Sequence, residues 1–190
     1  MRTTPWAALL LTLVLALAGC SSGDDDPAES GGPAGETASE PIATDAALGV
    51  VKGALSDAAA AAVLAEVTQV VDRWFDNAYV GDYPREKFDT AFADFTKDAR
   101  GLAVQQAAIL SNADLGADLE AVEATQRVVR VDVLVPKGKL AGATVRFRLV
   151  IAMTGAVERT DRVTGRLMLT PVAGGWQVFG FDVQRDEEGS

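Results

Sequence analysis

The chain has 190 residues, with 27 acidic against 17 basic side chains, a net charge of −10 at pH 7, one cysteine and no histidine. A single cysteine cannot close an intrachain disulfide, and the lack of histidine removes the commonest general base and the commonest transition-metal ligand. Any fold here must therefore stand on its apolar core, for which the 48% hydrophobic content is ample.

The first element in chain order has the layout of an export signal. Arg2 precedes a run from Trp6 to Leu17 made almost entirely of Ala, Leu, Val and Trp, and the run closes on the small residues Ala18 and Gly19. About a dozen apolar residues fall short of the ~20 that a lasting bilayer span needs. The four residues Leu17-Ala18-Gly19-Cys20 resemble the lipobox of bacterial lipoproteins. That resemblance implies a diacylglycerol on the Cys20 thiol, cleavage of a signal peptide spanning residues 1–19, and a lipid anchor on the extracytoplasmic face of the cell membrane. With Cys20 used in this way, no thiolate nucleophile or thiolate metal ligand remains.

Residues 20–47 comprise the lipidated cysteine and an acidic stretch of Gly, Pro, Ser, Ala, Asp, Glu and Thr, in which Ile42 is the only large apolar side chain. Such a composition cannot offset its ordering entropy and predicts a disordered tether, dispensable for stability, with a reach of roughly 30 Å. The run Asp24-Asp25-Asp26 lacks the spaced glycine and closing glutamate of a calcium loop and reads as solvated linker.

Residues 48–190 are the length of one domain. Val63, Val67, Val70, Val71, Trp74, Phe75 and Ala78 recur at helical spacing, with Ser56 or Asp57 as cap. Phe88, Ala91, Phe92 and Phe95 suggest a short second helix, and Thr96 caps a third that runs to about Leu110. After about residue 118 the period changes to two. The strands expected are 127–136, 143–153, 162–170 and 176–184, and a shorter one at Leu119–Glu123 is joined to Arg127 by a bulge. Gly174-Gly175 supplies the positive φ of a tight hairpin. Helices first and strands afterwards predict an α+β fold: three N-terminal helices packed on a curved antiparallel sheet of four to five strands, cone-shaped.

This order of elements, closing on the Gly-Gly-Trp-x-Val-x-Gly pattern of Gly174–Gly180, resembles the cystatin-like cone of the nuclear-transport-factor-2-like superfamily. It is similar to its exported members in high-GC Gram-positive bacteria, including mammalian-cell-entry-associated proteins. The resemblance covers roughly residues 56–184 and implies a fold that hosts isomerases, dehydratases, carriers and structural modules alike.

Alternation turns Val129, Val131, Val133, Val135, Val145, Phe147, Leu149, Ile151, Val163, Leu167, Leu169, Trp176 and Val178 inward, with no acid, lysine or hydroxyl among them. Polar candidates then come from the helix side: Asp72, Asp76, Asp82, Tyr79 and Tyr83. Tyr79, Tyr83 and Trp74 would stand at the mouth of a ligand cavity, or pack as ordinary core and rim. Residues 127–166 hold nine basic against three acidic residues, a local charge of +6. On alternation Arg130, Arg146, Arg148 and Arg166 share the outward face, as a stripe for an anionic surface or as a solubilising face. The expectation is a membrane-anchored envelope lipoprotein, a non-catalytic binding or accessory module for a protein partner or an apolar ligand, without metal, cofactor or nucleic acid. The alternative is an isomerase- or dehydratase-like enzyme using the helix-side carboxylates.

Overall fold

The computed structural model describes residues 41–188; Cys20, the signal segment and most of the tether lie outside the described residues. The longest helix, α1 (Asp57–Ala78), starts at Ser56, whose extended backbone lets its side chain accept from the Ala59 N–H at 3.2 Å. That bond satisfies one of the donors a helix start leaves open. The seven apolar residues from Val63 to Ala78 form its buried stripe.

The stripe packs on a sheet of six strands in the order β1-β3-β4-β5-β6. Strands β3 (Leu119–Val135), β4 (Gly142–Gly155), β5 (Arg159–Val172) and β6 (Gly175–Glu187) form an antiparallel meander, and β1 (Asp45–Gly53) pairs in parallel with β3. The two-residue β2 (Gly81–Asp82) pairs with the start of β3. Leu119–Glu123 belongs to β3 itself, with register shifts between Leu119 and Ala121 and between Ala124 and Gln126. Each of the thirteen inward strand residues expected from alternation is buried.

The expected architecture is corrected in three respects. Strand holds 47% and helix 26% of the described residues, and a strand precedes the first helix, so three N-terminal helices on an antiparallel sheet is not the arrangement found. Where a second helix was expected, residues 88–95 form successive turns closed by Ala91 N–H to Phe88 O, Ala93 N–H to Thr90 O and Phe95 N–H to Phe92 O, each three residues apart. A three-residue repeat of apolar side chains serves such turns as well as a helix, and it buries Ala91, Phe92 and Phe95 without one. The third helix begins at Thr96 but breaks at Gln106 into α2 (Lys97–Gln105) and the single turn α3 (Ala107–Leu110).

Strand β1 escapes a reading by alternation because no residue in it is fully buried and its register slips between Leu48 and Val51. The slip is held from the neighbouring strand. Asp132 on β3 accepts from the Val50 N–H at 2.7 Å, and a Cβ on Gly49 would lie 2.1 Å from the same carboxylate oxygen. Thr44 donates to Asp72 on α1 at 2.5 Å, and Asp45 pairs with Arg130.

These contacts bring the folded boundary to Thr44 or earlier, inside the stretch that composition assigned to a tether ending at residue 47. A chain starting at residue 41 should melt within about 2 to 3 °C of one starting at residue 20, whereas starting at residue 54 should lower the midpoint by about 10 °C or more. Thermal unfolding by circular dichroism measures both.

Candidate functional site

Chemistry-bearing side chains gather in two places, one on the inner side of the sheet and one on its outer face. The first lies near the C-terminal end of α1 and includes three charged strand residues: Arg127 on β3, Asp161 on β5 and Arg185 on β6, the last turned inward by a register shift at Phe179 that reverses the alternation begun at Trp176 and Val178. Asp161 is 1% exposed. Its Oδ2 accepts from Arg185 Nε at 2.6 Å and from Arg159 at 3.0 Å. The other nitrogens of Arg185 donate to Ser111 O at 3.0 Å and to Asn112 Oδ1 at 2.8 Å. Asn112 donates onward to Tyr79 O and to the Tyr83 hydroxyl, each at 3.0 Å. The cluster thus ties β5 and β6 to the ends of α1 and α3.

Here the expectation that no acid points inward fails, because position 161 was placed before the strand began. Strand β5 starts at Arg159, which carries the inward alternation of Val163 back to Asp161. Arg185 escapes the same reading, because alternation from Trp176 and Val178 turns it outward and only the register shift at Phe179 brings Phe181, Val183 and Arg185 to the inner face.

The proposed ligand-mouth residues sit in or beside this cluster. Tyr79 is fully buried and its hydroxyl donates to Ile109 O at 2.7 Å. The Tyr83 hydroxyl donates to Tyr79 O at 2.7 Å and receives Arg85 at 2.8 Å. Trp74 donates to Leu110 O at 3.2 Å, and its ring packs against Phe75, Tyr79, Phe95 and Phe147 at centroid distances of 5.2 to 6.3 Å. All three polar groups are bonded within the protein. On the outer flank of α1, Asp76 meets Arg127 at 2.6 Å and Asp72 stands 3.8 Å from it, while Asp82 is exposed on β2. Arg127, itself buried, lies over the Phe75 ring at 5.5 Å.

The second place is the outward face of the sheet. Arg130, Arg146 and Arg166 are cross-strand neighbours in a single row that ends at Asp182. Three guanidinium groups side by side repel, and the sequence supplies a carboxylate for each: Asp45 to Arg130 at 2.8 Å, Asp132 to Arg146 at 3.1 Å and Asp182 to Arg166 at 2.8 Å. The hydrogen bond from Arg130, followed by its charge, holds the Asp45 carboxyl below its ordinary value. Arg148, one row away, has no ion pair among the described residues. Three of the four stripe arginines are therefore paired, two of them with carboxylates that a count over residues 127–166 omits, since Asp45 and Asp182 lie outside that window.

Beyond the arginine row the same face opens into a groove of about 520 Å³ lined by Val50, Lys52, Leu134, Thr144, Met168 and Phe179, among others. Its exposed apolar side chains come from β1, β3 and β6, brought to one groove only by the folded sheet. Among the described residues no group of histidine, cysteine or carboxylate side chains is spaced to hold a metal, and no helix is long and apolar enough to cross a membrane.

No family model, no curated protein and no solved structure matches this chain.

Two stability predictions follow from the buried cluster. Asp161→Asn leaves Arg185 buried without its counter-charge and should cost about 3 to 5 kcal/mol, whereas adding Arg185→Met should cost much less than the sum of the two single changes. Urea denaturation of the two singles and the double measures this coupling. Burial pushes the Tyr79 phenol above its ordinary value, with Arg185 pulling partly against it. A folded-state value above the unfolded one of ~10 means that the stabilisation is complete below that pH and is lost as pH rises, because the unfolded chain releases its proton first. Tyr79→Phe should thus cost about 1 kcal/mol at pH 8 and flatten the fall in stability between pH 9 and about 11.

Proposed function

We propose that this chain is an extracytoplasmic lipoprotein, held to the cell membrane by lipid on Cys20, whose domain is a non-catalytic binding or accessory module of the envelope. The observation that carries the reading is Leu17-Ala18-Gly19-Cys20 at the close of an apolar run, on the only cysteine in the chain.

A binding role is supported by how the interior is used. Between α1 and the sheet, Trp74, Phe75, Phe95 and Phe147 fill the space where a cavity would serve a substrate. The Tyr79 and Tyr83 hydroxyls and the Asp161 carboxylate are bound to other protein groups. What the domain offers outward is the sheet face, with an apolar groove beside paired charges, a surface suited to a protein partner or an apolar ligand. The likeness to the nuclear-transport-factor-2-like superfamily rests, within this proposal, on the Gly174–Gly180 pattern alone.

The test is metabolic labelling with a fatty acid in a bacterial host. Wild type should take up label and sediment with membranes, and Cys20→Ala should do neither in its mature form. Equal labelling of both would overturn the anchor.

A further inference from the structure

We propose that the end of the sheet bearing the β3–β4 hairpin docks on the anionic headgroups of a phospholipid bilayer. The inference rests on the membrane-anchored reading and adds to it a second, reversible contact made by the domain itself.

Four ends meet there: the close of β1 at Gly53, the hairpin Pro136–Ala141, the close of β5 at Val172 and the opening of β6 at Gly175. Side chains that a soluble surface ordinarily covers are open at this end. Phe179 is 54% exposed, Val50 56% and Leu134 48%, and all three line the same groove. Leu140 and Val172, also exposed, lie at the same end of the sheet, on the β3–β4 hairpin and at the close of β5. Large apolar groups gathered in this way mark a surface that meets something.

Charge identifies the occupant. Lys52 lies beside Leu134 in the β1–β3 register, and Lys137 and Lys139 sit on the hairpin between Leu134 and Ala141. All three are exposed, and among the described residues no carboxylate stands within ion-pair distance of any of them. Asp132, the carboxylate that lines the groove, is already held by Arg146 and by the Val50 N–H. An apolar patch ringed by uncompensated lysines fits the boundary between headgroups and acyl chains, where lysine stems lie along the apolar surface and their ammonium groups reach phosphate. The arginine row does not have this property, because Asp45, Asp132 and Asp182 cancel three of its charges.

The covalent route permits the contact. Residues 21–44 are 24 in number and can span at most about 80 Å. Strand β1 covers only about 26 Å between Asp45 and Gly53. A chain anchored at Cys20 can therefore present this end of the sheet to the bilayer that holds the anchor.

The experiment uses the mature chain from residue 20 with Cys20→Ser, so that no acyl group contributes, and vesicles of phosphatidylglycerol or of phosphatidylcholine. Co-sedimentation should favour the anionic vesicles and should fall away at 0.5 M salt. Changing Lys52, Lys137 and Lys139 together to Gln should lower the anionic partition coefficient by about a hundredfold. Phe179→Ser should lower it without altering the salt dependence. Cys20→Ser removes the only cysteine, so a polarity-sensitive dye can then be placed at Leu140→Cys, or at Glu158→Cys on the far β4–β5 hairpin. The Leu140 dye should shift to the blue on anionic vesicles and the Glu158 dye should not.

Equal binding to both vesicle types, unchanged binding of the triple variant, or a dye response at residue 158 alone would each overturn the proposal. So would burial of the groove by self-association, seen as a dimer by sedimentation that Phe179→Ser dissolves. Failure of the anchor shows instead in the fatty-acid label, which these vesicles do not read.

Discussion

One helix has to cover one face of the sheet, and the rest of the described fold depends on that fit. The buried stripe of α1 brings Trp74 and Phe75 onto Phe147, with ring centroids 5.2 and 5.7 Å apart. Phe147 has Gly165 as its cross-strand partner on β5, where φ is +152° and a Cβ would lie 2.1 Å from Asp182 O. Only glycine tolerates that backbone and that approach. The large ring on β4 is thus matched by an absent side chain on β5, and the helix settles over the pair. Removing a ring from such a contact would leave a void that the sheet has no side chain to fill.

From that seat of α1 the two ends of the domain acquire different characters. At the C-terminal end of the helix, Tyr79, Tyr83 and Asn112 meet Arg185 and Asp161 in a chain of hydrogen bonds that closes the core and leaves Asp161 Oδ1 without one. Such a closure is costly to break and adds specificity of packing more than raw stability. At the other end, beyond the first residues of α1, the outward side of the sheet keeps Val50, Leu134 and Phe179 open to solvent. The buried charges Asp161 and Arg185 are paired at the closed end, and among the described residues Lys52, Lys137 and Lys139 at the open end have no ion-pair partner. That asymmetry, more than the total of −10, governs which surface can engage an anionic body.

Much of this was legible beforehand, and the exceptions have physical causes. Long, regularly alternating strands such as Val129–Val135 and Val145–Ile151 announce themselves, because burial of one face demands a period of two. The helix from Asp57 is equally plain from its stripe and its Ser56 cap. By contrast β1 is an edge strand whose pairing depends on Asp132, 82 residues away from Val50, and local composition holds no trace of such a partner. The turns at residues 88–95 satisfy the same apolar spacing as a helix. Asp161 escapes the sequence because an acid near a strand end reads as loop unless its counter-ion, Arg185 on the next strand, is known to reach it.

The sequence by itself determined the local and the covalent: the apolar run that closes on Cys20, the alternation that sorts strand residues into two faces, the helix stripe, and the glycines at the hairpin. These follow from side chains acting on their own backbone or on neighbours a few residues away. Only the tertiary structure decided which charges cancel. Arg130, Arg146 and Arg166 look like a free basic stripe along the chain, yet Asp45 and Asp182 arrive from the first and last strands to pair with two of them. Coulomb interactions depend on distance in space and ignore separation in sequence. The lysines beside an apolar groove, without ion-pair partners among the described residues, were beyond a linear reading for the same reason, since β1, the β3–β4 hairpin and β6 come to one end of the sheet only when it assembles.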